Sequence, residues 1–383
     1  MPLEPPQNWT GRYAPSIAGL ERGQWNACFD HPIEGYDYHR GVEAAGIAGF
    51  ELGWYVIEAG RELLCAAPVF QTRYDLSTTA QGRVRQVLEH AKRFVRGQLS
   101  LGLSCLGSPV TETCPIGFSP LLDQVQRVAA LSALIAFWTK DAHERGISLQ
   151  GMKDLSSFDH EHYGPALEAA KFRFVTSMPS ATLPIDFADI ESYLTRLSAA
   201  TRKDMRRKLK SRDEIRVETC SDITAWTEPI LEMYRETRAR SNWAFEDLPA
   251  SYFTQVLAAE PNAFFKLYFA GSTLVGANLL LCDGRTLLDK FFVMRGDEGR
   301  RLNLYFLSWF ENIAHCLQHK LSHYHSGQAG YETKLRLGSG LHPSWMGFKH
   351  RNAVFHAALK LAAPLLSVEQ PAVKSKAVAE GAR

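Results

Sequence analysis

Four histidines crowd one short stretch of the chain: His315, His319, His323 and His325. His315 and His319 stand four residues apart, the spacing that puts two imidazoles on one helical face where they could share a metal. The glutamate of an HExxH zinc motif is missing and no carboxylate follows at ligand spacing, so no metal is expected. His325 differs from the other three because it ends a short strand just before Ser326 and Gly327. An imidazole titrates near neutral pH and suits proton transfer, although a capping or core histidine is the plainer alternative. A rival base is Asp289, which with Lys290 interrupts the apolar strand 287–293. Strand alternation sends the two to opposite faces, and a charge buried in a strand needs a partner or a polar cleft.

The second chemical signature is charge. Between residues 196 and 216, basic side chains far outnumber the acids Asp204, Asp213 and Glu214. Arg202, Lys203, Arg206, Arg207, Lys208 and Lys210 recur at i, i+3 and i+4, so several share one helical face. That face could neutralise an anionic partner, or be a solvated flank over inward Leu197, Met205 and Leu209. Over the whole chain 43 Lys and Arg face 41 acids, a net charge of +2, which excludes a protein wrapped all over in nucleic acid. Seven cysteines, Cys28, Cys65, Cys105, Cys114, Cys220, Cys282 and Cys316, are odd in number, scattered and without a CxxC pair. They read as reduced core thiols of a cytoplasmic protein, with neither disulfides nor structural zinc. No apolar run follows Met1, and the longest apolar helical stretch, 125–138, is too short to span a bilayer.

Elements that could position these groups occur twice. Residues 54–70 and 266–281 share the pattern Ala-Gly-x-x-Leu-x-x-Ala, at Ala59, Gly60, Leu63 and Ala66 and again at Ala270, Gly271, Leu274 and Ala277. Each predicts a β-hairpin turning at its glycine. A long amphipathic helix follows each hairpin, at 121–145 and 302–320, and then a short strand, at 147–151 and 321–327. Upstream, each copy carries a pair of helical stretches, 20–29 with 36–45 and 224–241 with 249–260. The 383 residues, 45% apolar and 22% charged, therefore divide into two homologous α/β units. The first has an insertion at 75–98. We expect boundaries at 1–172 and 173–366, followed by a frayed tail at 367–383.

Residues 193–209 resemble the "Leu-x-x-x-x-Arg-x-x-x-Arg-Arg" helix that opens the second half of FemAB-like (FemABX-type) tandem GNAT-fold acyltransferases. Residues 302–313, then Tyr324-His-Ser-Gly327, then Tyr331-Glu-Thr-Lys-Leu-Arg-Leu-Gly338 are similar to the helix, strand and "Gly...Lys-x-x-x-Gly" ending of that family. The first half resembles it more loosely, through its hairpin, Gly107-Ser-Pro109 and Lys153-Asp154. The resemblance implies an α/β fold of two tandem GNAT-like domains, each a mostly antiparallel mixed sheet flanked by helices. It implies amide-forming acyl transfer from a carrier to an amine, with no metal or tightly bound cofactor. In the FemABX branch the carrier is aminoacyl-tRNA, and in ordinary GNAT enzymes it is acyl-CoA.

By the resemblance, Lys334 belongs to the active site, where a fixed cation would stabilise a tetrahedral oxyanion. Arg336 beside it could clamp a phosphate or carboxylate. His325 falls where a splayed GNAT sheet opens its cleft, leaving His325 and Asp289 as alternative bases. The acyl-CoA loop, normally Arg/Gln-x-x-Gly-x-Gly/Ala, is replaced by Arg295-Gly-Asp-Glu-Gly-Arg-Arg301, although Gly296 and Gly299 could still form an anion nest. Arg295, Arg300 and Arg301 join the basic helix as carrier-binding candidates. Lys290, Asn303, Tyr305 and Tyr331 are substrate-binding candidates, as are Tyr36, Tyr38, His39, Lys153 and Asp154 if the two sheets share a groove. The leading expectation is aminoacyl transfer from aminoacyl-tRNA to a cell-wall, nucleotide-linked or secondary-metabolite amine held between the halves. An acyl-CoA-dependent N-acyltransferase and a non-catalytic RNA-binding module are the alternatives.

Overall fold

The computed structural model describes residues 6, 8–29, 33–75, 100–240 and 245–366. The insertion expected at 75–98, Asp75 apart, and the tail expected at 367–383 lie outside these residues. The first half runs β1 (Trp9–Ala14), α1 (Arg22–Ala27), α2 (Tyr36–Ala45), β2 (Glu51–Ala59), β3 (Glu62–Asp75), β4 (Ser100–Leu106), β5 (Gly117–Phe118), α3 (Gln124–Glu144), β6 (Leu149–Ser156), α4 (Ser157–Ala169) and β7 (Arg173–Thr176). The second begins with β8 (Ser180–Pro184), α5 (Ile190–Arg196), α6 (Ala199–Lys208), β9 (Ile215–Cys220), α7 (Thr227–Arg240) and α8 (Ala250–Ala259). It continues with β10 (Ala263–Ala270), β11 (Thr273–Cys282), β12 (Thr286–Met294), α9 (Gly296–Arg301), α10 (Leu304–Gln318), β13 (His323–His325), α11 (Tyr331–Arg336) and β14 (Gly340–His342). The last two elements are β15 (Ser344–His350) and α12 (Ala353–Leu366).

The repeated pattern is a repeated structure. Hairpins β2–β3 and β10–β11 both turn at a glycine in the left-handed region, Gly60 with φ 64° and Gly271 with φ 59°, where a Cβ would be strained. Both carry an irregularity three residues before that glycine, after Ile57 and after Tyr268. Each sheet is antiparallel except for one parallel pair, β4 with β6 and β12 with β13. Helix α3, opened by an Asp123–Gln126 capping box, lays Leu131, Leu134 and Trp138 on the first sheet, and α10 lays Trp309, Phe310 and Ile313 on the second. The expected fold of two mixed, mostly antiparallel sheets with flanking helices is what the chain adopts.

The sheets do not divide at residue 172. Strand β7 still belongs to the first sheet, and the first strand of the second begins at Ser180. Strand β15, from the far end of the chain, returns to the first sheet and lies between β6 and β7, antiparallel to both. The halves are also joined through one apolar cluster, in which Tyr38, Val42 and Ala45 of α2 meet Tyr252, Phe253 and Val256 of α8. The Tyr38 and Tyr252 hydroxyls are 2.9 Å apart, and Ser251 Oγ donates to the Ala45 carbonyl at 2.8 Å. Gly41 permits this approach, since a Cβ there would lie 2.8 Å from Val256 Cα. Gly41→Val should therefore prise α2 from α8 and cost about 1–3 kcal/mol, measured as a lower urea midpoint with unchanged m-value.

Candidate active site between the two sheets

In the second sheet the parallel pair is short. Thr286–Leu288 face His323–His325, and beyond Leu288 the edge of β12 has no β13 partner, so the strands part at Asp289 and Ser326. At that point β12 carries a bulge: Leu279 pairs with Phe291 and Leu280 with Asp289, which leaves Lys290 as the extra residue. Asp289 consequently faces α10, where Asn312 lies, while Lys290 and Phe291 both face α2 and α8. Alternation was expected to separate Asp289 from Lys290, and it does. The first sheet parts in the same way, after Leu106 and Met152, and directs Glu112 and Lys153 toward the same region.

Lys290 is the hub. Its ammonium lies 2.6 Å from Glu34 Oε1 and 3.2 Å from Glu112 Oε1, and Glu112 N–H donates to Glu34 Oε2 at 2.9 Å. Burial works against the charge on Lys290, but Glu34 and Glu112 more than offset it and hold its pKa above the ordinary lysine value. Burial pushes Glu34 up despite Lys290. For Glu112 burial is outweighed by Lys290, His325 and Lys153, and its carboxyl sits below the usual range. Next to this group, Lys153 donates to Asp154 at 2.7 Å and to the Thr111 carbonyl at 2.9 Å, and Ser177 donates to Asp154. Asp154 itself holds a left-handed φ of 56°, a strain that its polar contacts must sustain. Tyr331 lies close enough to Asp154 and Glu112 to feel both charges.

On the other side of β12, Asp289 Oδ2 accepts from Tyr324 Oη at 2.7 Å and from Asn312 Nδ2 at 3.3 Å. Burial raises its pKa. Around it lie the buried polar side chains of Asn278 and Tyr268, with Asn278 set to bond Asp289 and Tyr268; Asn312 Oδ1 has no protein partner among the described residues, and the Tyr305 ring packs on Phe292. These polar groups lie beside the point where the strands part. His325 borders it with its pKa lowered by burial to about 4, and its Nδ1 accepts from Gly327 N–H at 3.4 Å. Such an imidazole is neutral near pH 7.

Lys334 is buried and within reach of this site, but it is not a free cation. Its ammonium donates to the carbonyls of Ser326, Gly327 and Gln328, which uses all three of its protons. Burial lowers its pKa to about 8. In this arrangement Lys334 braces the backbone of residues 326–328, and no ammonium proton is left over for a further acceptor. Arg336 is likewise engaged, 3.4 Å from Asp204.

The remaining candidates separate into those brought together and those not. Tyr38, whose ring lies 5.6 Å from Lys290 Nζ, and His39 reach the interface. Tyr36 instead donates to the Leu20 carbonyl inside a first-half cluster. Arg202 is bonded to the Thr195 and Leu197 carbonyls, Arg206 to Glu191 and Arg207 to Asp204, while Lys210 is exposed. Arg336 and Lys208, the latter over the Phe306 ring at 3.5 Å, tie α6 to α11 and α10, so the basic helix flanks the start of α10. The anion nest is closed. Gly296 N–H donates to the Glu236 carboxylate at 3.1 Å, and a Cβ at Gly296 would collide with Glu236 and Arg240. Arg295 donates to the Leu274 carbonyl, Arg300 to Asp297 and Arg301 to Glu214. Asn303 starts α10 in the left-handed region without a side-chain cap. Among the described residues no cluster suited to a metal occurs, and no helix is long and apolar enough to cross a membrane.

Glu34, Glu112 and Glu236 were missed by sequence reasoning. Glu112 had a signal, as the sole charge between Arg96 and Asp123. Glu34 and Glu236 had none, since each depends on which segment the fold lays against it.

Residues 199–335 match the model of an acetyltransferase (GNAT) domain family. No curated protein sequence matches the chain. Among solved structures it is similar to FemX, with a TM-score of 0.55 at 12% identity, over 82% of this chain and 91% of that one. It is also similar to a tandem GNAT protein from the clavulanic acid biosynthesis pathway, with a TM-score of 0.50 at 13% identity over 90% and 99% of the two chains. A conserved protein of unknown function from Bacteroides thetaiotaomicron matches with a TM-score of 0.50 at 10% identity, over 87% and 95%. At such identities the likeness is one of fold, two GNAT-like units in tandem.

Removing the Lys290 ammonium strands two buried carboxylates, so Lys290→Met should cost about 3–5 kcal/mol. Adding Glu34→Gln and Glu112→Gln should restore most of that loss, and equal urea midpoints for the single and triple variants would contradict the account. A second test uses pH. The folded pKa of His325, lowered from 6.5 to about 4, means that the unfolded chain takes up its proton first as pH falls. The stability held through this histidine is complete above pH 6.5 and is lost toward pH 4. The stability difference between the natural protein and His325→Asn should therefore shrink over that window, with a slope approaching one proton.

Proposed function

We propose that this tandem GNAT-fold chain is an N-acyltransferase that uses the opening between β12 and β13 to bring an activated acyl group to an amine, with aminoacyl-tRNA as the carrier. The amine nitrogen attacks the carbonyl carbon of the ester, the new C–N bond forms, and Asp289 takes the proton that the nitrogen sheds. The tetrahedral oxygen lies against the β12 edge beyond Leu288, where backbone groups have no strand partner. Collapse of the intermediate breaks the C–O bond, and the ribose oxygen leaves as a hydroxyl with the proton that Asp289 took up. Tyr324 and Asn312 hold the Asp289 carboxylate from one side, and Lys334 holds the loop that forms the opposite wall. The Lys290 group and the Lys153–Asp154 pair form the acceptor side.

The observation that carries the choice of carrier is the Glu236 carboxylate on Gly296 N–H. A coenzyme A diphosphate brought to that loop would meet an anion already bonded there. The basic helix α6 beside the start of α10 suits a longer polyanion whose phosphates need not enter the loop. The fold shared with FemX agrees with this reading.

The test is mass spectrometry of reactions supplied either with a charged-tRNA pool or with a pool of CoA thioesters, each with candidate amines. Acylated amine should appear with tRNA and vanish after ribonuclease treatment. Product from thioesters alone, together with stabilisation by CoA in a melting assay, would overturn the choice of carrier. Asp289→Asn should lower kcat by about 10²–10⁴-fold without weakening tRNA binding.

A further inference from the structure

The first half carries a half-open cavity of about 590 Å³, the size of an ordinary small-ligand site. Its wall combines aromatic side chains, Trp25, Phe29, Phe118 and Tyr163, with polar groups such as Thr113, Ser156 and Arg127. Two features distinguish it from a packing defect. One is His39, only 3% exposed, whose ring is set edge-on to Trp25 and Trp54 and makes no side-chain hydrogen bond among the described residues. Burial lowers its pKa to about 4, so it is a neutral group facing the cavity. The other is Glu34, which lines the same cavity and is bonded to Lys290 in the bulge of β12. One carboxylate thus joins the interior of the cavity to the parted strands of the second sheet.

The charges on the wall lean acidic. Asp159 bonds Ser156 Oγ, and its pKa is raised by burial that neither this bond nor His162 offsets. Against Asp159 and Glu34 stands Arg127, whose Nε donates to the Leu122 carbonyl. At the rim the wall becomes an exposed apolar surface. Phe158, itself part of the lining, is 59% exposed, and Leu121, adjoining the lining residue Pro120, is 73% exposed. Apolar surface left open at a cavity mouth marks a place where an apolar ligand enters.

We propose that this cavity binds the apolar body of an amphiphilic primary amine, an alkyl or aryl-alkyl chain ending in –NH₃⁺, with the ammonium directed to Glu34. The assignment rests on the acyl-transfer reading for what happens next, since that amine is then the acceptor. The aromatic wall and open rim select the body, and Glu34, supported by His39, selects the amine over an alcohol of the same length.

The test is calorimetric titration of the full chain, with no acyl carrier present, with n-decylamine, n-decanol and ethanolamine. Decylamine should bind with one-to-one stoichiometry, decanol at least tenfold more weakly, and ethanolamine not at all. Ile116→Trp, which fills the cavity, should abolish decylamine binding. If that variant fails to fold, Phe158→Ser at the exposed rim should weaken binding several-fold while leaving the melting temperature unchanged. No decylamine binding, equal binding of decanol, or undiminished binding by the folded variants would overturn the proposal. Transfer assays separate it from the reaction itself. Acylation of ethanolamine but not decylamine would sink this assignment and keep the reaction, whereas decylamine binding without acylation from either carrier would sink the reaction and keep the pocket.

Discussion

A lysine ammonium buried in the middle of a β-sheet has to be answered by carboxylates, and in this chain the answer comes from elsewhere in the sequence. Lys290 sits on the extra residue of a bulge, and its two partners, Glu34 and Glu112, belong to the first half. The bulge matters because it turns two consecutive side chains, Lys290 and Phe291, to the same face. One then reaches the acids while the other packs among Tyr252 and Phe253. Moving any one of these groups into an apolar environment alone would be costly. The relative placement of the two sheets is thus specified by electrostatics at the point where both sheets open, and by the glycine contact of α2 with α8 beside it.

The two faces of β12 do different work. Toward α10, Asp289 sits among hydroxyls and amides, and burial raises its proton affinity. Toward the first half, the ions are matched and held. Lys334 contributes at one remove: by binding three successive carbonyls it fixes the backbone that frames the opening. The Glu236 carboxylate acts similarly on the loop after β12, where it satisfies the N–H that other members of this fold class offer to a phosphate.

Much of the architecture could be read from the chain. The hairpin pattern around Gly60 and Gly271, the long helices behind each hairpin and the tandem arrangement all rest on local periodicity, which sequence records directly. Asp289 and Lys290 stood out because charges inside an apolar strand demand an explanation. The acids that complete the site are spread over more than two hundred residues and became visible only once the sheets were side by side. The basic helix shows the same limit from the other side. Its cations are conspicuous in sequence, yet Arg202, Arg206 and Arg207 are occupied by carbonyls and carboxylates of neighbouring turns. For Lys334 the residue was identifiable but its partners were not, because three carbonyl contacts depend on the path of a loop and not on any side chain.

The return of β15 to the first sheet bears on how the molecule is made. Strands β6 and β7 do not pair with each other; they are bridged by a strand nearly two hundred residues downstream of β6. During synthesis the N-terminal sheet therefore waits with two exposed edges until residues 344–350 have emerged, and such edges invite pairing with the wrong chain. The second unit, whose own sheet closes by residue 342, is complete first. The order of completion is the reverse of the order of the sequence.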